Sequence, residues 1–250
     1  MNFLLAVYTL WQRELVRFYR VPSRWFGAVG TALLFWAFLG TGIGGSDYRA
    51  YFFPGTMIMS MMFTCIFSTA SIIEDRQAGF LQSVMVAPVP RAAIVMGKIL
   101  GGATLATMQG LLVMIFAGLV GATFQLLPFL GLLAALFLIS FVVTAMGFWL
   151  AWKIGSPPGF HAVMNMVLLP MWMASGAVFP QGPSVWLKWF MTVNPFTYGV
   201  AGVRRGLFPL HTEELSALPS LWTCLIVLAG FSIFFYALSS WVVEKSKEGG

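Results

Sequence analysis

The 250 residues are 59% hydrophobic and only 9% charged, where soluble domains carry about 25% charged residues. No soluble core could hide that much apolar surface, so lipid must solvate much of it, and the length suits one membrane domain without a large soluble one. The net charge of +6 does not point to nucleic acid, because the basic residues sit mostly beside apolar runs, where they orient a membrane protein.

The first element differs from the rest. At about 100° per residue, Leu4, Val7, Trp11, Leu15 and Phe18 share one helical face. Arg13, Arg17, Arg20 and Arg24 share the roughly opposite face. This predicts an amphipathic helix over residues 1–22 lying in the membrane surface, its arginines toward lipid phosphates and water. The order of charge is wrong for a signal peptide, in which the positive residues come before the apolar run.

Charge-free runs mark the crossings, each needing about 20 apolar residues. They predict spans near 25–44, 51–73, 99–121, 128–152, 160–179 and 221–243. The long run Ile99–Trp152 is divided at Gln125 and Pro128. The fifth span follows the Ser156-Pro157-Pro158-Gly159 turn. Residues 189–203 are charge-free but short for a crossing, and Asn194 and Pro195 interrupt a helix there. They read instead as a re-entrant or interfacial hairpin near 181–205. Trp186, Trp189, Phe190, Tyr198 and Phe208 suit the interface.

Orientation follows from the cations. With the N-terminus inside, cytoplasmic segments hold Arg13, Arg17, Arg20, Arg24, Arg76, Arg91, Lys98, Lys153, Lys245 and Lys247. Outer segments hold Arg49, Lys188, Arg204 and Arg205. That bias puts both ends in the cytoplasm.

The spans offer little reactive chemistry. Residues 99–152 carry no charge, and no Asp or Glu falls at an expected midplane. This argues against a proton-coupled carrier or an intramembrane protease. His161 reads as a polar residue at a membrane edge, and His211 lies in the outer loop. Cys65 and Cys224 fall in apolar runs and read as buried free thiols. The Gly97-Lys98 pair lacks phosphate-loop spacing, so energy for uphill transport would have to come from a partner. Gly97 and Gly101 have the spacing of a small-residue helix contact, and Gly27 and Gly30 could let the first span approach a neighbour; ordinary flexibility is the alternative. Met57, Met59, Met61, Met62 and Phe63 make the second span soft.

The loop between the second and third spans is the informative segment. It opens with Glu74, Asp75 and Arg76, passes Gly79, and places Phe80, Leu81, Val84 and Met85 at helical spacing before Pro88 and Arg91. This predicts a short amphipathic cytoplasmic helix near 77–87, able to seat its apolar side in a groove on another protein.

These residues resemble the permease subunits of type-2 ABC exporters, a group that includes polysaccharide, lipo-oligosaccharide and drug exporters. Glu74, Gly79, Leu81, Pro88, Arg91, Gly97 and Lys98 match the family's loop after the second span. Ser175-Gly176, Phe179-Pro180, Pro183, Trp186, Asn194-Pro195, Tyr198 and Arg204 or Arg205 match its motif before the last span. Phe80 stands where Thr is common, and Gln82 where Glu is common. The resemblance implies an all-α, polytopic integral membrane protein of one permease domain over residues 1–250. Its six transmembrane helices come with an N-terminal interfacial helix, a cytoplasmic coupling helix and an outer re-entrant hairpin.

The resemblance also implies a homodimer in a bacterial inner membrane, each copy engaging one of two cytoplasmic ATPase subunits. ATP and Mg would sit on those partners, with no cofactor, metal or catalytic residue in this chain. Glu74 and Arg76 would position the coupling loop. Gly79, Pro88 and Arg91 frame it, and Phe80, Leu81 and Val84 would enter the ATPase groove. Trp11, Arg13, Arg17 and Arg20 belong to the interfacial helix, and Asn194, Pro195, Tyr198 and Arg204 to the outer motif. Three rivals remain: an ATP-independent channel, which needs polar pore rings; a membrane anchor; and a membrane enzyme such as a lipid transferase. The last has only Glu74 and Asp75, or His211, Glu213 and Glu214, to work with.

Overall fold

The computed structural model describes residues 3–42, 45–86, 88–179, 185–210 and 215–245. In chain order the helices are α1 (Phe3–Tyr19), α2 (Pro22–Gly42), α3 (Gly45–Gln77), α4 (Phe80–Val86) and α5 (Arg91–Met114), which tightens into a 3-10 turn at Ile115–Val120. Then come α6 (Leu126–Lys153), α7 (Pro157–Trp172), α8 (Val185–Val193), α9 (Pro195–Leu207) and α10 (Leu221–Lys245). Among the described residues there is no strand.

Five helices, α2, α3, α5 with its 3-10 extension, α6 and α10, are long and apolar enough to cross a membrane. The chain is therefore an all-α, polytopic membrane protein. The expected span over 160–179 is built differently from the others. It consists of α7, whose 16 residues reach about 24 Å at 1.5 Å per residue, followed by a π turn at Met173–Ala177. The reason is local. Pro170 cannot donate a backbone hydrogen bond, and Gly176 adopts φ 83°, a conformation costly for any residue with a Cβ.

α3 is the central helix, with 89% of its most apolar window buried. Its neighbours approach through small residues. Gly102 of α5 faces Ser68, Gly110 faces Met61, and Gly147 of α6 faces Thr69, each so closely that an added Cβ would come within 3 Å. On α9, Gly199, Gly202 and Gly206 meet Ile139, Ala135 and Leu132 of α6 in the same way. Between apolar helices in lipid, close van der Waals packing is a main attractive term, and small residues permit it.

The same device seats α1. Gly97 lies against Val7 and Leu10, and Gly101 against Glu14 and Trp11. Further along, Trp11 donates from its indole to Thr104, and Gln109 donates to the Trp25 carbonyl. The partners rise together in number, so α1 runs parallel to α5 along its first half. It buries Ala6, Leu10, Glu14 and Phe18. Leu4 and Tyr8 are exposed. The expected division into an apolar buried stripe and an arginine stripe facing lipid phosphates is thus rotated, because α5 offers a glycine seat and a lysine to the side of α1 that carries Glu14. Gly27 and Gly30 have open space beside them and make no such contact within the chain.

The end of the bundle carrying α1 and α4 is called basal here, and the end carrying α8 distal. α8 and α9 form a helical hairpin whose turn, at Asn194, lies inside the bundle, where the Asn194 amide donates to the Met171 carbonyl. α8 keeps Trp186 and Trp189 exposed, whereas α9 is buried along nearly its whole length, Tyr198 included.

Gly97→Leu or Gly101→Leu should displace α1 and destabilise the chain by about 1–3 kcal/mol, the usual cost of overpacking. Gly27→Ala and Gly30→Ala should be near neutral. Thermal unfolding of the four purified variants in detergent checks the contrast.

Candidate functional site

The basal end gathers most of the ionisable side chains among the described residues. Lys98, on the buried face of α5, places its Nζ 2.8 Å from Glu14 Oε1 and 2.5 Å from Asp75 Oδ2. All three residues are at most 4% exposed. Ser71 donates to the other Glu14 oxygen at 3.0 Å. Arg13 grips Asp75 with both terminal nitrogens, at 2.8 and 2.9 Å, and also reaches Glu14. Arg17 bridges Asp75 and Glu74, and Arg24 reaches Glu74 at 3.2 Å. Four helices, α1, α2, α3 and α5, are thereby joined by charge-assisted hydrogen bonds. The bond to Asp75 raises the Arg13 guanidinium above its ordinary range despite partial burial.

A second set of arginines serves the backbone. Arg76 donates to the carbonyls of Ala151, Trp152 and Ile154 at the C-terminal end of α6. Arg91 donates to Val243 near the end of α10 at 2.7 Å. A cation at a helix C-terminus meets the unpaired carbonyls and the negative end of the helix dipole.

α4 hangs from this junction. Gly79, with φ 75°, turns the chain out of α3; Ala78 and Gly79 donate back to Glu74 and Arg76. Leu81 is 3% exposed and packs with Leu10 and Ile94, with Phe80, Val84, Met85 and Trp152 around them. The Arg13 guanidinium lies 3.7 Å above the Phe80 ring. Leu81 therefore seats on its own bundle, which corrects the expectation that it is presented to a partner's groove, while Phe80 and Val84 pack beside it and stay partly exposed. A seven-residue helix cannot hold its shape alone, so it takes its support from α1 and α5. Its open side carries Ser83, Val86 and, beyond it, Pro88.

The distal end is held by aromatics and carbonyls. Arg204 is 8% exposed, donates to Tyr51 and Gly176 carbonyls at 3.0 and 3.2 Å, and lies 4.2 Å above the Tyr51 ring. Tyr51 and Tyr48 donate to Gly176 and Val178. Asn194 caps α9 by accepting from Phe196, Pro195 occupies the first helical position, and the Tyr198 hydroxyl donates to Thr192. Arg205 donates to Leu215, Leu218 and Pro219. These bonds take up carbonyls left without partners where α7 breaks and the hairpin turns, which backbone at membrane depth requires.

Several expected residues meet at these two sites and others do not. Arg13 joins Asp75 and Arg17 joins both Asp75 and Glu74, whereas Arg20 stays exposed and outside the network. Trp11 packs into the α1–α5 seam. His161 lies between the rings of Phe67 and Phe160. Cys65 and Cys224 are free and buried. Pro180, Pro183, His211, Glu213, Glu214, Lys247 and the side chain of Gln82 lie outside the described residues. Glu14 escaped the sequence reading, although it is the sole acid among the first 46 residues.

Lys98→Met should cost about 3–5 kcal/mol by leaving two buried carboxylates without their shared cation. Adding Glu14→Met should recover part of that loss, which a double-variant cycle of unfolding free energies would read. Arg204→Lys should behave nearly as badly as Arg204→Ala, at about 1–3 kcal/mol per carbonyl left unpaired, because an ammonium does not reproduce the planar fork. Thermal unfolding of both variants would show it.

Comparison with known proteins places this architecture. The ABC-2 type transporter family matches residues 6–208, from α1 to just beyond α9. The chain is 28% identical over 213 residues to a protein of Cyanophora paradoxa named transport permease ycf38, covering 78% of this chain and 72% of that one. It is 24% identical over 259 residues to the inner membrane transport permease YadH of Escherichia coli K12, covering 97% and 96% of the two chains. The chain belongs to the ABC-2 type transporter family.

Proposed function

We propose that the chain is the membrane subunit of an ATP-driven exporter. It works as a dimer, with α4 of each copy docked on one of two separate ATPase subunits that bind ATP and Mg. The basal end is cytoplasmic on this reading, and the membrane is a bacterial inner membrane. The observation that carries the proposal is the attachment of α4. It is joined to α3 by the Gly79 turn, to α1 by Arg13 on Phe80, and to α1 and α5 through Leu81, Leu10 and Ile94. A displacement of α4 would therefore reach three helices at once. Ser83, Val86 and Pro88 face away from the bundle and are the residues a partner would meet first.

Coupling requires that ATP binding favour one of two arrangements of the bundle. A rigid handle is a suitable input for such a change, since packed interfaces switch between discrete arrangements and do not deform smoothly. The bundle's apolar walls suit a lipid, glycoconjugate or drug-like amphiphile as cargo. No feature favours a channel, a membrane enzyme or a simple anchor over this reading.

Co-purification with a candidate ABC ATPase subunit tests the proposal, followed by hydrolysis assays with lipids, glycans and drugs. Val86→Asp should reduce ATPase capture at least tenfold while leaving the chain's unfolding temperature unchanged. Leu81→Asp should lose both. Undiminished capture and substrate-stimulated hydrolysis in Val86→Asp would remove α4 from the docking surface. Absence of any ATPase from the wild-type preparation would overturn the exporter reading.

A further inference from the structure

Four arginines crowd the end of α1 and the elbow into α2, and three of them are engaged. Arg13, Arg17 and Arg24 bind the carboxylates of Glu74 and Asp75. Arg20 is exposed and has no carboxylate or hydrogen-bonding partner for its side chain among the described residues. It lines a recess of about 530 Å³ with Arg17, Gln12 and Thr9. On the other side of the elbow, Tyr19, Trp25, Phe26, Val29, Leu112 and Phe116 line a groove of about 490 Å³ between α2 and α5. Its volume lies within the usual range of ligand cavities. Trp25 lines it with its ring, its indole N–H being enclosed by the protein.

We propose that this elbow binds one anionic phospholipid, with its phosphate on Arg20 and one acyl chain in the groove. Each part of the lipid meets its chemical complement. The free guanidinium takes phosphate oxygens. The aromatic wall takes hydrocarbon, and Tyr19 and Trp25 suit the headgroup boundary. A zwitterionic headgroup is disfavoured because the nearby carboxylates, Glu74 and Asp75, are already held by arginines. A free phosphate would satisfy Arg20 but leave the groove unfilled. The inference stands apart from the exporter reading, since a lipid fixed at the elbow need not be cargo.

The test is native mass spectrometry of the full-length detergent-purified chain titrated with phosphatidylglycerol, phosphatidylcholine or glycerol phosphate. One tightly retained phosphatidylglycerol per chain is expected, with weaker phosphatidylcholine binding and no competition from glycerol phosphate. Arg20→Gln should weaken retention about fivefold, the worth of one cation near a headgroup. Leu112→Trp, which fills the groove from a partly exposed position, should abolish it. Ile226→Trp, on the exposed face of α10, should leave it unchanged. Equal retention by wild type, Arg20→Gln and Leu112→Trp would overturn the proposal. So would equal losses in Leu112→Trp and Ile226→Trp, which would mark the lipid as ordinary solvating bilayer. Effective competition by glycerol phosphate would reduce the site to a phosphate contact and overturn the groove assignment.

Discussion

Lys98 sits between two carboxylates on two different helices, and the arrangement of the basal end depends on it. Burying any one of these charges alone would be prohibitive, because desolvation removes far more than a single surface ion pair returns. The cluster is tolerable only as a set: Lys98 with Glu14 and Asp75, Ser71 on the remaining Glu14 oxygen, and Arg13 and Arg17 closing the solvent side. That mutual dependence makes position specific. α1 cannot slide by one turn along α5 without carrying Glu14 away from Lys98. It can approach so closely only because Gly97 and Gly101 present no side chains. Packing and charge therefore select the same register.

The two ends of the bundle solve one problem with different chemistry. Every backbone carbonyl in hydrocarbon needs a donor, and broken or terminating helices leave carbonyls over. At the basal end, Arg76 and Arg91 supply donors to α6 and α10. At the distal end, Arg204, Arg205, Tyr48, Tyr51 and Asn194 supply them to the broken end of α7 and to the loop after α9. The basal arginines stand beside a carboxylate network. Arg204, by contrast, holds no acid among the described residues, only carbonyls and a ring.

The spans were legible in the sequence because lipid excludes charge, so charge-free runs of sufficient length report them directly. α2, α6 and α10 fall within a few residues of their expected limits, whereas α3 runs longer at both ends and α5 begins earlier, toward the junction. Direction of facing was less legible. Periodicity revealed that α1 and α4 each have an apolar side, but not what that side meets. For α4 it meets the bundle. For α1 the decisive contact is Glu14, a single acid hidden among arginines, whose partner Lys98 lies 84 residues away. No local pattern encodes a pairing over that separation. The break in α7 was partly written in Pro170 and Ser175-Gly176, yet an apolar run of the right length concealed it.

A bundle closed at its basal end by ions and at its distal end by carbonyl contacts has a different middle. Along α3, between these ends, lie Met57, Met59, Met61 and Met62 with the hydroxyls of Thr56, Ser60, Thr64 and Ser68, all buried. Thr56 and Thr64 donate to carbonyls one turn back on their own helix and tie α3 to nothing else through those hydroxyls. Thioethers repack easily, so movement of α3 against its neighbours breaks no strong interhelical bond in this stretch. Stiffness is concentrated where α4 attaches, and adaptability lies in the interior. On the proposed reading, a displacement imposed at the basal end would be carried as a unit into the membrane, with the apolar middle accommodating it.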